Sequence, residues 1–113
     1  MRAYHYTEVP AEKAEEGAKD TTVRWVISQR QGAPNFAMRV FEVGPGGHTP
    51  QHEHPWEHEI FVLAGRGRVK AGETEQDLTE GCVVYVAPGE RHQFLAGAEG
   101  MRMICCVPHP KDE

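Results

Sequence analysis

The sequence predicts an all-β protein built as an antiparallel sandwich or barrel. Short segments rich in β-branched and aromatic residues recur from Val23 onward, and turns containing glycine and proline separate them. No long segment has the apolar periodicity of an amphipathic helix. Many short strands at this spacing are typical of sandwiches and barrels. A chain of 113 residues is long enough for one domain with one hydrophobic core.

The predicted strands follow one another closely along the chain. The first two are 23–28 and 35–43, and the second carries apolar residues on both of its faces. Such a strand is typical of a position that is covered on both sides, for example by a second subunit. The remaining predicted strands are 60–63, 68–71, 82–86, 92–95 and 101–107. The sequence contains no internal repeat, so that a single domain over residues 23–113 is expected.

Residues 1–22 are predicted to form an N-terminal arm, because this segment is largely polar and irregular. The start of the sequence lacks the apolar core of a signal peptide, and no apolar run approaches the length of a membrane span. The number of cysteines is odd, and Cys105 and Cys106 are adjacent, which is poor geometry for a disulfide. We therefore expect a cytoplasmic protein.

The charge composition narrows the choice of partners. The chain has 12 basic and 17 acidic residues, for a formal net charge of −5 with neutral histidines, and it contains no run of lysine or arginine. Such a chain is poorly suited to bind nucleic acid or an anionic membrane. Neither is expected as a partner.

Four histidines are the candidate functional residues. His52, His54 and His58 fall within seven residues, and His92 follows a turn further along the chain. Neutral imidazole is the commonest metal-ligating side chain. Residues two apart on a strand face the same way, so that His52 and His54 can bind one ion from one face. The pattern predicts a metal site, and the histidines expected at the surface instead are His5, His48 and His109.

Glycines at fixed spacings accompany these histidines. Five residues separate Gly46 from His52, and six separate His58 from Gly65. The second segment contains Gly81, Pro88, Gly89 and His92 in that order. Together the two segments resemble the two motifs of the cupin family, G-x5-H-x-H-x3/4-E-x6-G and G-x5-P-x-G-x2-H-x3-N. The glutamate of the first motif is a metal ligand in many cupins.

The position of that glutamate is where this sequence departs from the family. The three-residue spacing places His58 there, and the four-residue spacing places Glu59 there. His58 shares strand parity with His52 and His54, whereas Glu59 points the other way unless a bulge intervenes. We therefore expect His58 to be a ligand, with Glu59 as the alternative.

The four-histidine variant resembles a subfamily of small single-domain cupins that bind manganese. The resemblance implies a double-stranded β-helix, or jelly-roll barrel, which is usually a homodimer. It also implies a divalent transition metal, with manganese ahead of iron, nickel, zinc, cobalt and copper. Four neutral imidazoles leave the full charge on the ion, and a six-coordinate ion would keep open positions for a substrate or an oxidant.

Strand alternation and proximity to the histidines predict which side chains surround the site. The expected pocket-lining residues are Phe94, Met103, Cys105, Val107, Trp56 and Arg39. Arg39 is the one cation in a largely apolar strand, where it would bind a substrate carboxylate or pair with Glu42 or Glu59. We favour the pairing. A pocket of this composition suits a small, partly apolar molecule.

Two classes of function follow. The first is a metal-dependent oxidoreductase of the oxygenase or dioxygenase type, and the second is a non-catalytic module that binds or senses a small molecule. A sugar isomerase is less favoured, because it would need a basic, polar pocket. Fold alone does not decide between these functions.

Overall fold

The computed structural model describes residues 1–109 of the chain. The strands in this part are β1 (Glu12–Lys13), β2 (Lys19–Ile27), β3 (Phe36–His48), β4 (His58–Ala71), β5 (Thr74–Thr79), β6 (Val83–Val86) and β7 (His92–Pro108). Two single-turn 3-10 helices, Tyr6–Glu8 and Gln29–Gln31, complete the regular structure of these residues. Within residues 1–109, no helix is long and apolar enough to cross a membrane. The all-β prediction is confirmed.

Every strand pairing is antiparallel. The sheet order is β1-β2-β3-β7-β4-β5, and β6 pairs with β4. The two longest strands, β4 and β7, pair with each other and bend where their register shifts. These bends close the sheet into the jelly-roll barrel of a double-stranded β-helix. The expected strands 60–63 and 68–71 are therefore one bent strand, as are 92–95 and 101–107.

Gly65 shows why the motif needs a glycine at the bend of β4. Its φ is +82°, and a Cβ atom built there would lie 2.2 Å from the carbonyl oxygen of Gly100 on β7. Real Cβ atoms do not approach so closely, and a side chain would also strain this left-handed backbone conformation. Gly65 therefore lets β4 and β7 cross tightly at the bend.

The barrel interior is apolar and holds the inward-facing residues of β4 and β7. Ile60 and Val62 on β4 are 3% and 0% exposed, and Met103 on β7 is 2% exposed. Along β7, Met101, Met103, Cys105 and Val107 are buried, while the residues between them are only half-buried. This alternation agrees with the one that the sequence predicts for the last strand.

The N-terminal segment has more structure than its composition suggests. Strand β2 begins at Lys19 rather than at Val23, and β1 lies inside the predicted arm and pairs with β2. The Tyr4 hydroxyl donates to the carbonyl of Val26, and Arg24 Nη1 donates to the carbonyl of Val9 at 2.6 Å. The division into residues 1–22 and 23–113 remains a prediction, and the last four residues of that domain lie outside the described part.

Candidate metal centre

The structure brings the four histidine rings of the motifs together. His58 and His92 are the first residues of β4 and β7, whereas His52 and His54 lie in the segment that precedes β4. The ring centroids are 4.4 Å apart for His52 and His54, 5.3 Å for His54 and His58, 4.9 Å for His58 and His92, and 4.9 Å for His92 and His52. The four imidazole rings therefore lie next to one another in a closed cycle.

Backbone hydrogen bonds hold the segment before β4 in place. His52 and His92 form an isolated antiparallel bridge, in which each backbone N–H donates to the carbonyl of the other at 3.1 and 2.9 Å. The Gly89 N–H donates to the carbonyl of His54 at 2.6 Å. His52 and His54 thus converge through cross-chain hydrogen bonds rather than through the regular strand on which their parity was argued.

Trp56 supports the ring of His54 rather than the wall of a pocket. The two aromatic rings are stacked, with centroids 4.6 Å apart and planes tilted by 5°. Offset stacking of this kind restricts the orientation of an imidazole. Trp56 therefore limits the freedom of the histidine that sits in the least regular part of the site.

Burial favours the neutral form of the imidazoles of His52, His54 and His58. Burial, followed by the proximity of His92 and Arg39, lowers the pKa of His58 to about 3. Burial and the neighbouring His54 lower the pKa of His52 to about 4, and burial also lowers the pKa of His54. Desolvation disfavours the charged imidazolium, so that the lone pair stays available near neutral pH.

The donor set fits a divalent transition metal. His92 Nδ1 donates to the carbonyl of Glu90 at 2.8 Å, so that Nε2 is the ring nitrogen left to bind a metal. His52 and His58 each bury an Nδ1 atom that has no hydrogen-bond partner within residues 1–109. Buried polar atoms without a partner are typical of ligands that need an ion or its water to complete them.

Glu15 is a candidate that sequence reasoning missed. Its Oε1 lies 3.5 Å from His52 Nδ1, and donor atoms of Glu15, His52 and His54 lie within 4.8 Å of one another. This trio offers a second ligand arrangement at the edge of the histidine ring. We give the four histidines precedence, because the trio would leave the buried His58 and His92 without a role. Glu15 lies in the predicted arm, where one acidic residue among several carries no recognisable signal.

A largely apolar cavity adjoins the histidines. Its unfilled volume, including the open mouth, is about 420 Å³. Four of the six residues predicted from the sequence line it, namely Arg39, Phe94, Met103 and Cys105, together with His52, His58 and His92. Val107 packs in the core instead, and neither Trp56 nor His54 is among the residues that line this cavity.

The favoured pairing of Arg39 is wrong. Glu42 pairs with Arg24 at 3.5 Å, and Glu59 lies on the outer face of β4, beside an exposed apolar groove. Arg39 instead points into the cavity, where Nη2 donates to Cys105 Sγ at 3.0 Å. Within residues 1–109, Arg39 therefore faces the site without forming an ion pair with a carboxylate.

Glu59 and the other histidines lie apart from the ring. A hydrogen bond with Glu57 and partial burial raise the pKa of Glu59 to about 6 on that outer face. His5 is exposed as expected, whereas His48 and His109 are half-buried and contact the carbonyls of Thr49 and Ala33. The two half-buried rings thus have structural partners.

Comparison with known proteins identifies the family. The cupin domain matches residues 39–107, which is more than half of the chain, and the chain therefore belongs to the cupin family. The matched segment contains all four converging histidines and both glycine motifs.

Three relatives indicate the breadth of its chemistry. The polyketide cyclase RemF of Streptomyces resistomycificus is 36% identical with a TM-score of 0.92, and the match covers 100% of this chain and 82% of that one. The 1-methylthio-D-xylulose 5-phosphate methylsulfurylase of Rhodospirillum rubrum is 34% identical over 77 residues, 67% of this chain and 49% of that protein. Dimethylsulfoniopropionate lyase DddW of Ruegeria pomeroyi is 29% identical over 92 residues, 76% of this chain and 60% of that protein.

The chain thus spans only about half of the length of the methylsulfurylase and about three-fifths of the length of the lyase. It covers most of the cyclase structure. The names of these three relatives describe chemistry on small molecules.

Proposed function

We propose that this cupin is a metal-dependent enzyme that closes a ring in a small, partly apolar molecule carrying several carbonyl groups. The observation that carries the proposal is the ring of four imidazoles at the wall of an apolar cavity. The match to a polyketide cyclase over the whole chain supports the choice of reaction. The proposed ligands are His52, His54, His58 and His92, and manganese is the ion that the sequence resemblance implies.

A divalent ion held by four neutral donors would supply a Lewis acid that polarises a carbonyl oxygen. The residues of the chain supply the remainder of the chemistry. Phe94, Met103 and Ile60 form apolar walls that exclude water from the reacting carbons. They also favour a folded conformation of the substrate, because its hydrocarbon parts are then transferred from water to the apolar walls.

Ring closure of such a substrate needs a group that accepts and returns a proton. Among the described residues that line the cavity, Glu15 carries the carboxylate that can do so. We assign to it the proton that leaves a carbon between two carbonyls. The carbon then bonds to the carbon of a more distant carbonyl, which closes a six-membered ring, and Glu15 returns the proton to the oxygen of that carbonyl. Ring closure is thus an isomerisation that needs no co-reactant, and subsequent loss of one water gives the unsaturated ring.

An oxygenase-type reaction, which the sequence analysis favours, is the second candidate. Open positions at a transition metal inside an apolar cavity suit oxygen chemistry as well as carbonyl chemistry. Cys105 lines the same cavity, however, and a thiol beside a redox-active ion is an oxidation target. This neighbour favours a polar reaction over an oxidative one.

Metal reconstitution with a model substrate tests the proposal. Protein purified without an affinity tag would be stripped by a chelator, reloaded separately with zinc, manganese or iron, and incubated with a linear triketo ester, in which the ester and three ketone carbonyls lie at alternate carbons. We expect about one ion per chain and an aromatic ring-closed product with zinc as well as manganese, without oxygen uptake. Turnover confined to the redox-active ions with oxygen consumption would instead establish the oxygenase.

Two further results would contradict the proposal in different ways. Failure of the stripped protein to bind any ion would overturn the metal centre itself. Metal binding with no turnover of the triketo ester, accompanied by saturable binding of small carbonyl compounds, would establish a non-catalytic binding module. Glu15→Gln tests the assigned proton transfer separately, because it should retain the ion and lose ring closure.

A further inference from the structure

Arg39 is a half-buried cation whose position the proposed reaction does not explain. It lies on β3, and its guanidinium carbon is 5.2 Å from the ring centroid of Trp25 and 4.9 Å from that of Phe41. Nη2 donates to Cys105 Sγ at 3.0 Å. Aromatic rings on the neighbouring strand and on its own strand thus hold a flat cationic group against the cavity.

Arg39 has no anionic partner in the part of the chain that the structure describes. Among those residues, no carboxylate oxygen lies within 4.0 Å of its nitrogens, and its Nε is buried without a hydrogen-bond partner. Glu15 lines the same cavity, but its carboxylate approaches His52 instead. The guanidinium therefore keeps unused donors at the cavity wall.

Removing part of a charged group from water costs free energy unless that part is paired, and the Nε of Arg39 is buried although the side chain as a whole is half-buried. The histidines beside it offer no negative charge. An ion bound by these histidines would add further positive charge to the same space. The cavity is thus suited to a negatively charged group and unsuited to a cationic one.

We propose that Arg39 binds a carboxylate of the substrate and thereby fixes the direction in which the substrate enters the cavity. The guanidinium fork matches the two oxygens of a carboxylate, which a neutral amide or alcohol cannot imitate. The reacting carbonyls would then lie toward the histidines, and this last point alone rests on the proposed function.

Carboxylate binding can be tested on the metal-free protein, so that the result does not depend on the ion. The titrants are sodium acetate, acetamide and sodium chloride at constant ionic strength. The reporters are the Arg39 Nε–H resonance and the backbone amides of Phe94 and Cys105 in nitrogen–proton correlation spectra. We expect acetate to shift these signals saturably, and acetamide and chloride to bind at least about tenfold more weakly.

Substitutions then assign the effect to Arg39. Arg39→Met should abolish the acetate-dependent shifts at Phe94 and Cys105, and Arg39→Lys should weaken binding about tenfold because it keeps the charge but loses the fork. Arg102→Lys is the matched control, because Arg102 also lies over an aromatic ring with a buried, unpartnered Nε but lines a different, outer groove. It should bind acetate like the unmodified protein.

The proposal is overturned if acetate causes no saturable shift, if acetamide or chloride binds equally well, or if Arg39→Lys binds acetate as tightly as the unmodified protein. Metal uptake of each variant is measured in parallel and also shows whether Arg39→Met folds. If the unmodified protein took up no metal but still bound acetate at Arg39, the proposed function would be overturned and the carboxylate site would be retained. The two ideas therefore fail separately.

Discussion

The two faces of strand β4 carry different chemistry in adjacent residues. His58 faces the barrel interior and is 4% exposed, and burial presses its pKa down to about 3. Glu59, the next residue, faces outward, and a hydrogen bond with Glu57 is the main reason that its pKa is raised to about 6. Because successive strand residues point to opposite faces, a shift of one residue exchanges a candidate metal ligand for an outer-surface carboxyl.

The same contrast recurs on β7, where Cys105 is buried at the cavity and Cys106 lies in the outer groove beside Phe61 and Tyr85. The interior face thus holds the candidate site, and the outer face holds exposed apolar side chains. The comparison predicts that substitutions on one face leave the property of the other face unchanged.

The largest effect is expected for metal binding at the His58 and Glu59 positions. His58→Ala should weaken metal affinity by more than about 100-fold, since even the outer partners of a metal ligand are worth about 10–100-fold. Glu59→Ala should leave the affinity within about twofold, because its carboxylate points away from the ring of imidazoles. Competition with a chromophoric chelator measures both affinities.

Circular dichroism of both variants shows whether the barrel remains folded. His58→Gln provides a less disruptive second test, because it fills a similar volume without an imidazole. Equal losses for the two positions, or a larger loss for Glu59→Ala, would mean that the interior face is not the metal face.

A smaller effect is expected for thiol reactivity at Cys105 and Cys106. Burial raises the pKa of both thiols, but Cys105 is far more enclosed, so that a reagent reaches it more slowly. In a Cys82→Ser background, Cys106 should be alkylated at least about tenfold faster than Cys105, as followed by mass spectrometry of peptides. Unfolding in denaturant should equalise the rates, and equal rates in the folded protein would contradict the assignment of faces.

Much of this arrangement could be predicted from the sequence. Strand alternation assigns the residues of β7 to their faces, and spacing brings His52, His54, His58 and His92 together as candidates. Alternation is a local property of the strand, and motif spacing reflects fixed bends such as that at Gly65. These features therefore survive in the linear sequence.

Other features could not be read from the sequence, because they depend on contacts between distant segments. Glu15 reaches His52 only because β1 pairs with β2, and a two-residue exposed strand has no hydrophobic pattern. Within residues 1–109, Arg39 forms no ion pair with a carboxylate, because Glu42 pairs with Arg24 of the neighbouring strand β2 instead. Pairing among several charged residues is a tertiary choice that residue type alone does not decide.

The smallest expected effect concerns assembly, for which the outer face is the better candidate surface. The apolar residues on both faces of strand 35–43 predict that a second subunit covers this strand. However, Val40 in that strand is already only 4% exposed within one chain. Exposed apolar side chains instead cluster beside β4 and β6, where Phe61, Val83 and Tyr85 are 44%, 73% and 62% exposed. Such a patch is typical of an interface.

We therefore expect a homodimer in which this outer patch is covered by a second copy of the chain. Tyr85→Asp would place a charge in its centre and should weaken dimerisation by about tenfold or more, because buried aromatic residues carry much of the energy of an interface. Gln29→Asp, at an exposed position of the 3-10 helix Gln29–Gln31 and outside both grooves that Tyr85 lines, is the matched control and should dimerise normally. Analytical ultracentrifugation over a concentration series measures the dissociation constant of each protein. A monomer at micromolar concentration before substitution would refute the dimer, whereas dissociation by Tyr85→Asp with unchanged metal affinity would show that the two faces act independently.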